Sequence, residues 1–179
     1  MSGHSKWSQI KHKKAATDAK KSRVFSKIVG AIAVAARQGE NPDQNPRLRT
    51  LIEKAKSEGV PQETIERALH KSAESDALKE MVVEAYGPEK TAMIIEAITD
   101  NTNRTIAEVR NILNEYGAKA ADPGSVRWLF EHRNPGDPWV PKFPKTISTQ
   151  GFKALERIRE TLKKHGDIQR ITTDVDQSI

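Results

Sequence analysis

The sequence predicts an α+β protein. A helical amino-terminal domain, read as a three-helix unit, precedes a ferredoxin-like α+β sandwich with a mainly antiparallel sheet. Three observations carry that reading. Apolar residues recur at spacings of three and four from about Ala15 to residue 72 or so, the period of helices with one buried side. The period then shortens to that of strands in EMVVEAY and TAMIIEAIT, residues 80–86 and 91–99. Strand and helix signals alternate from there on, which lets helices pack on one face of a sheet.

The first helix is expected from Ala15 to about Gln38, with Gly39 as its stop and Val24, Ile28, Ile32, Ala35 and Ala36 as its core side. After the polar turn ENPDQNP, Asn45 reads as a cap and Pro46 as the first helical residue of a second helix that runs to Gly59. Pro61 opens a third, PQETIERALHK, with Ile65, Ala68 and Leu69 buried. Beyond the polar joint SAESD, the two strands are joined by the turn GPEK. Asn103 is expected to cap the helix RTIAEVRNILNEY, which stops at Gly117. SVRWLFE reads as a third strand. HRNPGDPWVPKFPK, residues 132–145, is dense in proline and reads as an extended connector without regular structure. KTIS as a strand, a helix from about Thr149 to His165, and DIQRITTDV as a last strand complete the order. The expected domains are therefore 1–75, basic and helical, and 76–179, built as ββαβ, the connector 132–145, and βαβ.

Composition removes several function classes. With no cysteine among 179 residues, disulfides, thiolate metal sites and cysteine nucleophiles are excluded. The longest apolar run, IVGAIAVAA at 28–36, is far short of the roughly 20 residues that cross a bilayer. The first 27 residues hold no apolar stretch of the kind a signal peptide needs. Charge is the informative quantity. Residues 1–27 carry eight lysines and arginines against one acid, Asp18, while the whole chain sums to +6, so everything beyond residue 27 nets to −1. Such a concentrated positive field draws in polyanions.

Lys6, Lys11, Lys13, Lys14, Lys20, Lys21, Arg23 and Lys27 are the cations of this arm. A solvated helix face would mix both signs for local pairing, and this one does not. Lys13, Lys20 and Lys27 lie seven apart, which places them along one edge of a continuous helix. Trp7 and His12 sit among these charges. An indole there has two uses: to staple the arm onto the body, or to stack on a base or sugar. Nucleic acid is the partner this pattern points to.

A second candidate is TDNTNRT, residues 99–105, between a strand and a helix. Asn101, Asn103 and Arg104 there could form an anion site at a helix start, although turn formation and capping account for the same residues. Catalysis has little support. His4, His12, His70, His132 and His165 are scattered without metal-ligand spacing, and no glycine-rich phosphate loop or nucleophile elbow occurs. No catalytic residue, metal, cofactor, small-molecule substrate or membrane is expected; a metal-dependent nuclease built around Asp100 and a distant acid is the remote alternative.

The ordered segments GHSKW at 3–7, IKHKKAATDAKKSRVFSK at 10–27, NPRLR at 45–49, VPQETIERA at 60–68, YGP at 86–88, TDNTNRTIAEVR at 99–110 and GSVRWLFE at 124–131 resemble the YebC/PmpR family. That family includes the mitochondrial translational activator of cytochrome oxidase. The tail LKKHGDIQRITTDVD is similar to the family's carboxyl-terminal segment. The resemblance implies a helical nucleic-acid-binding domain joined to α+β domains in a cytoplasmic, non-catalytic factor of gene expression. Family members are described as DNA-binding transcriptional regulators, and others act at the ribosome. Typical members are longer, with a further domain where the connector stands here, so this chain resembles a short member lacking it. A match that begins at Gly3 leaves no room for a presequence, and a bacterial cytoplasmic protein is expected.

The function expected is thus a DNA-binding transcriptional regulator of the YebC/PmpR type, with a ribosome- or rRNA-associated translation factor as the alternative. Lysine outnumbers arginine seven to one in the arm. That favours a grip on the backbone over bidentate reading of guanine.

Overall fold

The structure is a computed structural model that describes residues 3–71, 77–133 and 137–176, with side chains from residue 14 onward apart from those of residues 16 and 71. The chain divides into two compact units, Met1–Ser72 and Ala73–Ile179. The first holds α1 (Gly3–Ala36), α2 (Pro46–Ser57) and α3 (Gln62–Lys71). Helix α1 therefore begins twelve residues before the expected Ala15, because its amino-terminal part has no apolar side for periodicity to detect. Its carboxyl-terminal half supplies Ile28, Ile32, Ala35 and Ala36 to a core completed by Leu48, Ala55, Val60, Ile65 and Ala68. Asn45 ties two helix ends together at the edge of this core. Its Oδ1 accepts from the Leu48 amide at 3.0 Å, capping α2, while its Nδ2 donates to the carbonyls of Ala35 at 2.9 Å and Gly39 at 3.0 Å. The partner of Arg49 is Asp43 at 3.9 Å, together with the Pro42 and Asp43 carbonyls, rather than the glutamates that follow it in sequence.

The second unit is the α+β body. Among the described residues its sheet has four strands in the order β3–β1–β2–β6, every neighbour antiparallel. Strands β1 (Lys79–Tyr86) and β2 (Ala92–Thr99) form the central hairpin, paired from Lys79 with Thr99 to Tyr86 with Ala92. Helix α4 (Thr102–Glu115) leads to β3 (Lys119–Ala120), and α5 (Thr149–Lys164) leads to β6 (Ile168–Thr173). Alternation divides the hairpin's side chains between two faces. Val83, Ala85, Met93 and Ile95 meet Val109 and Leu113 of α4 and Leu155, Ile158 and Leu162 of α5. On the opposite face Val82, Ala92 and Ile94 are covered by Val126, Leu129, Phe130 and Trp139.

That second cover departs from the expected elements. SVRWLFE is not a third strand of the sheet; Arg127–Leu129 form a 3-10 turn, and only Phe130–His132 are extended, as β4. The connector is partly regular, since Trp139–Pro141 form β5 and pair with β4 in a two-stranded ribbon. Proline is tolerated there because an edge strand leaves one side of its backbone without ladder partners. KTIS contributes one bridge, Lys145 to Val175, in place of a strand. The cap of α4 is Asn101, whose side chain accepts from the Arg104 amide at 3.1 Å, and Asn103 lies inside the helix.

The ribbon-side cover is held by a buried acid. Glu84 of β1 is only 2% exposed. Its carboxylate accepts the amides of Gly124 at 2.7 Å, Val126 at 2.9 Å and Arg127 at 2.9 Å, with the Arg127 Nε at 3.3 Å. Burial pushes this carboxyl up, and the three amides with the Arg127 charge more than reverse that, so its pKa lies below the ordinary value. Asp174 goes the other way. Burial raises it, against the opposing pull of Lys145 and the Ala92 amide.

A second acid organises the hairpin turn. Glu89 and Lys90 both have left-handed backbone, φ 53° and 59°, and their carbonyls accept from the Lys145 ammonium at 3.1 and 2.9 Å. The Glu89 carboxylate receives the hydroxyl and the amide of Ser148, the residue that caps α5 through the Gly151 amide. A methyl group at Gly151 would meet that carboxylate, so a larger residue there would displace the Glu89 side chain.

These contacts set measurable outcomes. Glu84→Gln should lower the unfolding free energy at pH 7 by about 2–4 kcal/mol, because three buried amides lose a charged acceptor. Asp174→Asn should cost less than about 1 kcal/mol, since its charged form is already disfavoured. Urea melts of both variants measure the contrast. The Glu84 contribution is complete above the unfolded pKa of about 4.3 and is lost as pH falls through its lower folded value. The unaltered chain should therefore lose stability in acid more steeply than Glu84→Gln. Asn101→Ala should cost about 1 kcal/mol, against a change within about 0.5 kcal/mol for Asn103→Ala.

Candidate nucleic-acid interface

Helix α1 is 34 residues long, and among the described residues its core contacts come from its carboxyl-terminal part. Every described side chain from Lys14 to Arg23 is exposed, and burial begins at Val24 and Phe25. Successive positions on a helix turn by about 100°, so ten consecutive residues face in all directions. This part of α1 thus buries no stripe of its own, and its cations are open on every side. Lys14, Lys20, Lys21 and Arg23 are all exposed there, with Asp18 as the one acid among them. The Lys21 ammonium lies 5.4 Å from the centroid of the Phe25 ring, a contact that settles its aliphatic stem where the core begins. Lys27 differs: it is half-buried and already engaged within the chain. The side chains of Lys6, Trp7, Lys11, His12 and Lys13 lie outside the described residues, although their backbone belongs to α1.

The second candidate resolves into an ion network. The Arg104 guanidinium reaches Asp100 at 2.9 Å and Asp167 at 3.0 Å, with the Thr99 hydroxyl at 3.3 Å. The Asp167 hydrogen bond first, then both acids, holds the guanidinium more firmly charged than usual. Asp167 is pushed up by burial and pulled down further by the hydrogen bonds from Thr105 and Arg104, leaving it below its ordinary value. Asn101 is occupied as a cap, and one nitrogen of Arg104, Nη2, is held between two carboxylates, so the geometry is that of a clamp between α4 and the start of β6. Glu108, His165 and Asp167 place ligand atoms within 4.8 Å of one another, the donor set of a metal site. Hydrogen bonds already use these atoms. The Asp167 amide donates to His165 Nδ1 at 3.1 Å, so the ring hydrogen sits on Nε2 and is given to Glu108 at 2.7 Å. The charge of Arg104 beside Asp167 also opposes a cation there.

One exposed feature escaped the sequence reading. Trp128 is 61% exposed and Phe143 65%, with Tyr86 also at the surface. As a strand, SVRWLFE would place Val126, Trp128 and Phe130 on one face. The 3-10 turn at 127–129 breaks that alternation, burying Val126 and Phe130 while Trp128 faces solvent. Pairing of a tryptophan with an arginine in a glycine-led loop was the available signal.

Comparisons with known proteins place the chain. Residues 5–75 match the TACO1/YebC protein N-terminal domain, and residues 78–134 match the TACO1/YebC second and third domain. A relative from Thermotoga petrophila is 48% identical over 179 residues, covering 97% of this chain and 70% of its own length. One from Petrotoga mobilis is 47% identical over 178 residues with the same coverage, and one from Fervidobacterium nodosum is 49% identical over 137 residues, covering 74% of this chain and 54% of its own length. All three bear the name "Probable transcriptional regulatory protein". The chain thus spans between about half and seven tenths of the length of these relatives. Among solved structures, a conserved hypothetical protein from Aquifex aeolicus superposes with a TM-score of 0.80 at 27% identity, over 89% of this chain and 91% of that one. With both units matched in order and nearly half the residues shared with relatives along its length, the chain belongs to the TACO1/YebC family.

Proposed function

We propose that this chain is a non-enzymatic, nucleic-acid-binding regulator of gene expression that holds phosphate backbones with the amino-terminal half of α1. The observation that carries the reading is the open run from Lys14 to Arg23, a basic helical surface without a core-facing side. A helix that is polar all round needs either a partner or dense local pairing. With Asp18 as the one acid in residues 1–27, dense local pairing is not available. Lys6, Lys11, Lys13, Lys14, Lys20, Lys21 and Arg23 are assigned to phosphates, with Trp7 and His12 adding stacking or polar contacts. Lys27 sits at the margin of that surface.

The relatives' shared name supports regulation of transcription, and on that reading duplex DNA is the target. The lysine bias supports a second reading, a ribosome-associated translation factor that grips RNA backbones without reading sequence. No helix among the described residues is long and apolar enough to cross a membrane. Co-sedimentation with ribosomes at physiological salt, set against affinity for duplex DNA under the same conditions, separates the two targets.

Salt dependence tests the mechanism common to both. With about six cations on duplex phosphates, log affinity should fall against log salt with a slope near −5. Replacing Lys14, Lys20 and Lys21 by alanine should weaken binding to all sequences alike and flatten the slope by roughly 2–3. Thermal stability should hardly change, because these side chains lie outside the core. Undiminished affinity in this variant would remove α1 as the contact surface.

A further inference from the structure

Three of the exposed aromatic residues of the second unit, Tyr86, Trp128 and Phe143, are held by the loop at Ser125 and by the ribbon. The Trp128 Nε1 donates to the Ser125 carbonyl at 2.9 Å, and the Tyr86 hydroxyl donates to the same oxygen at 3.2 Å. One backbone atom therefore anchors the polar ends of both rings. Phe143 is tied to them through the ribbon. The Lys142 amide donates to the Leu129 carbonyl at 2.9 Å, extending the β4–β5 pairing so that residues 128 and 143 flank the bonded pair. Trp128 and Phe143 are the two most exposed large apolar side chains among the described residues. Neither joins a core cluster. Such rings cost solvation, and a fixed indole with its N–H already satisfied has only its faces left to offer.

We propose that Tyr86, Trp128 and Phe143 form a stacking platform for unpaired RNA bases, a second nucleic-acid contact separate from α1. The proposal rests on the reading of this chain as a nucleic-acid binder and names the kind of strand its second unit takes. Exposed cations border the rings: Lys119 pairs with Tyr86 in the β1–β3 register, and Lys142 precedes Phe143. Aromatic faces interleaved with lysine suit a single strand, whose bases stack on the rings while the cations follow its phosphates. A duplex hides its base faces and cannot use them, whereas RNA presents unpaired bases in loops and bulges. The two contacts divide the work by chemistry, charge on α1 and stacking on the ribbon.

The test uses the full chain, a labelled single-stranded uridine 12-mer and a 20-base-pair DNA duplex, with affinity followed against salt. Trp128→Ala with Phe143→Ala should weaken binding to the single strand by about 10- to 100-fold while duplex affinity stays within about twofold. The salt slope for the single strand should be unchanged, because stacking releases no counterions. Trp128→Phe keeps an aromatic face and should retain most of the affinity. Both side chains are exposed, so melting temperatures should stay close to that of the unaltered chain. Single-strand affinity within twofold in the double variant overturns the platform, as does an equal loss on the duplex. Loss of self-association in the double variant without loss of RNA binding overturns it in favour of a protein contact. If Lys14, Lys20 and Lys21 matter and the aromatic pair does not, the platform fails while the role of α1 stands; the reverse result separates them the other way.

Discussion

The second unit depends on one buried charge. Glu84 sits on the face of the central hairpin that α4 and α5 do not cover, opposite Ile94 in register. A carboxylate there, taken alone, would be expelled or neutralised by burial. It stays ionised because the chain from Gly124 to Arg127 turns three amides inward and brings one guanidinium with them. The requirement is mutual. Without the loop the charge has no partner, and without the charge those amides have no acceptor. Around that clasp Val126 and Phe130 fall onto the sheet, and Trp128, on the same turn, is left facing outward.

The two units solve different problems with helices. In the second, α4 and α5 cover a sheet, and Arg104 of α4 and Arg159 of α5 pair with acids of the same unit. In the first, α1 serves as core element in one half and as charged surface in the other. Its length carries the division, because among the described residues the apolar side chains of α2 and α3 engage its carboxyl-terminal half. Asn45 makes this arrangement firm by serving the end of α1 and the start of α2 with one amide. Family membership and geometry meet at this helix, the part of the chain from residue 5 onward that matches the amino-terminal domain of its relatives.

Legibility followed the physics of each element. Helices α2, α4 and α5 carry side-chain caps, and these three and α3 each carry one apolar stripe, local signals that survive in a linear reading. The central hairpin was legible because β2 is an almost unbroken apolar run, as a strand covered on both faces should be. The start of α1 was not, because GHSKWSQIKHKK carries no sustained apolar period. The ribbon was misread because its strands are short and its partner lies across a proline-rich connector. Choosing Asn101 over Asn103 as the cap depended on which residue keeps extended backbone, φ −141° at Asn101, and two asparagines two apart look alike in sequence.

What the sequence determined by itself was the α+β class, the order of the principal elements and the lopsided charge of the amino-terminal end. All three are properties of neighbours along the chain: period, caps and local counts of ionisable groups. Tertiary structure alone decided which acid is buried and where its donors come from. It decided that Arg104 is consumed by acids from two elements, and that Trp128 faces solvent while Phe130 does not. Each of these depends on pairs 40 or more residues apart or on a single 3-10 turn, and neither leaves a periodic trace in the order of the residues.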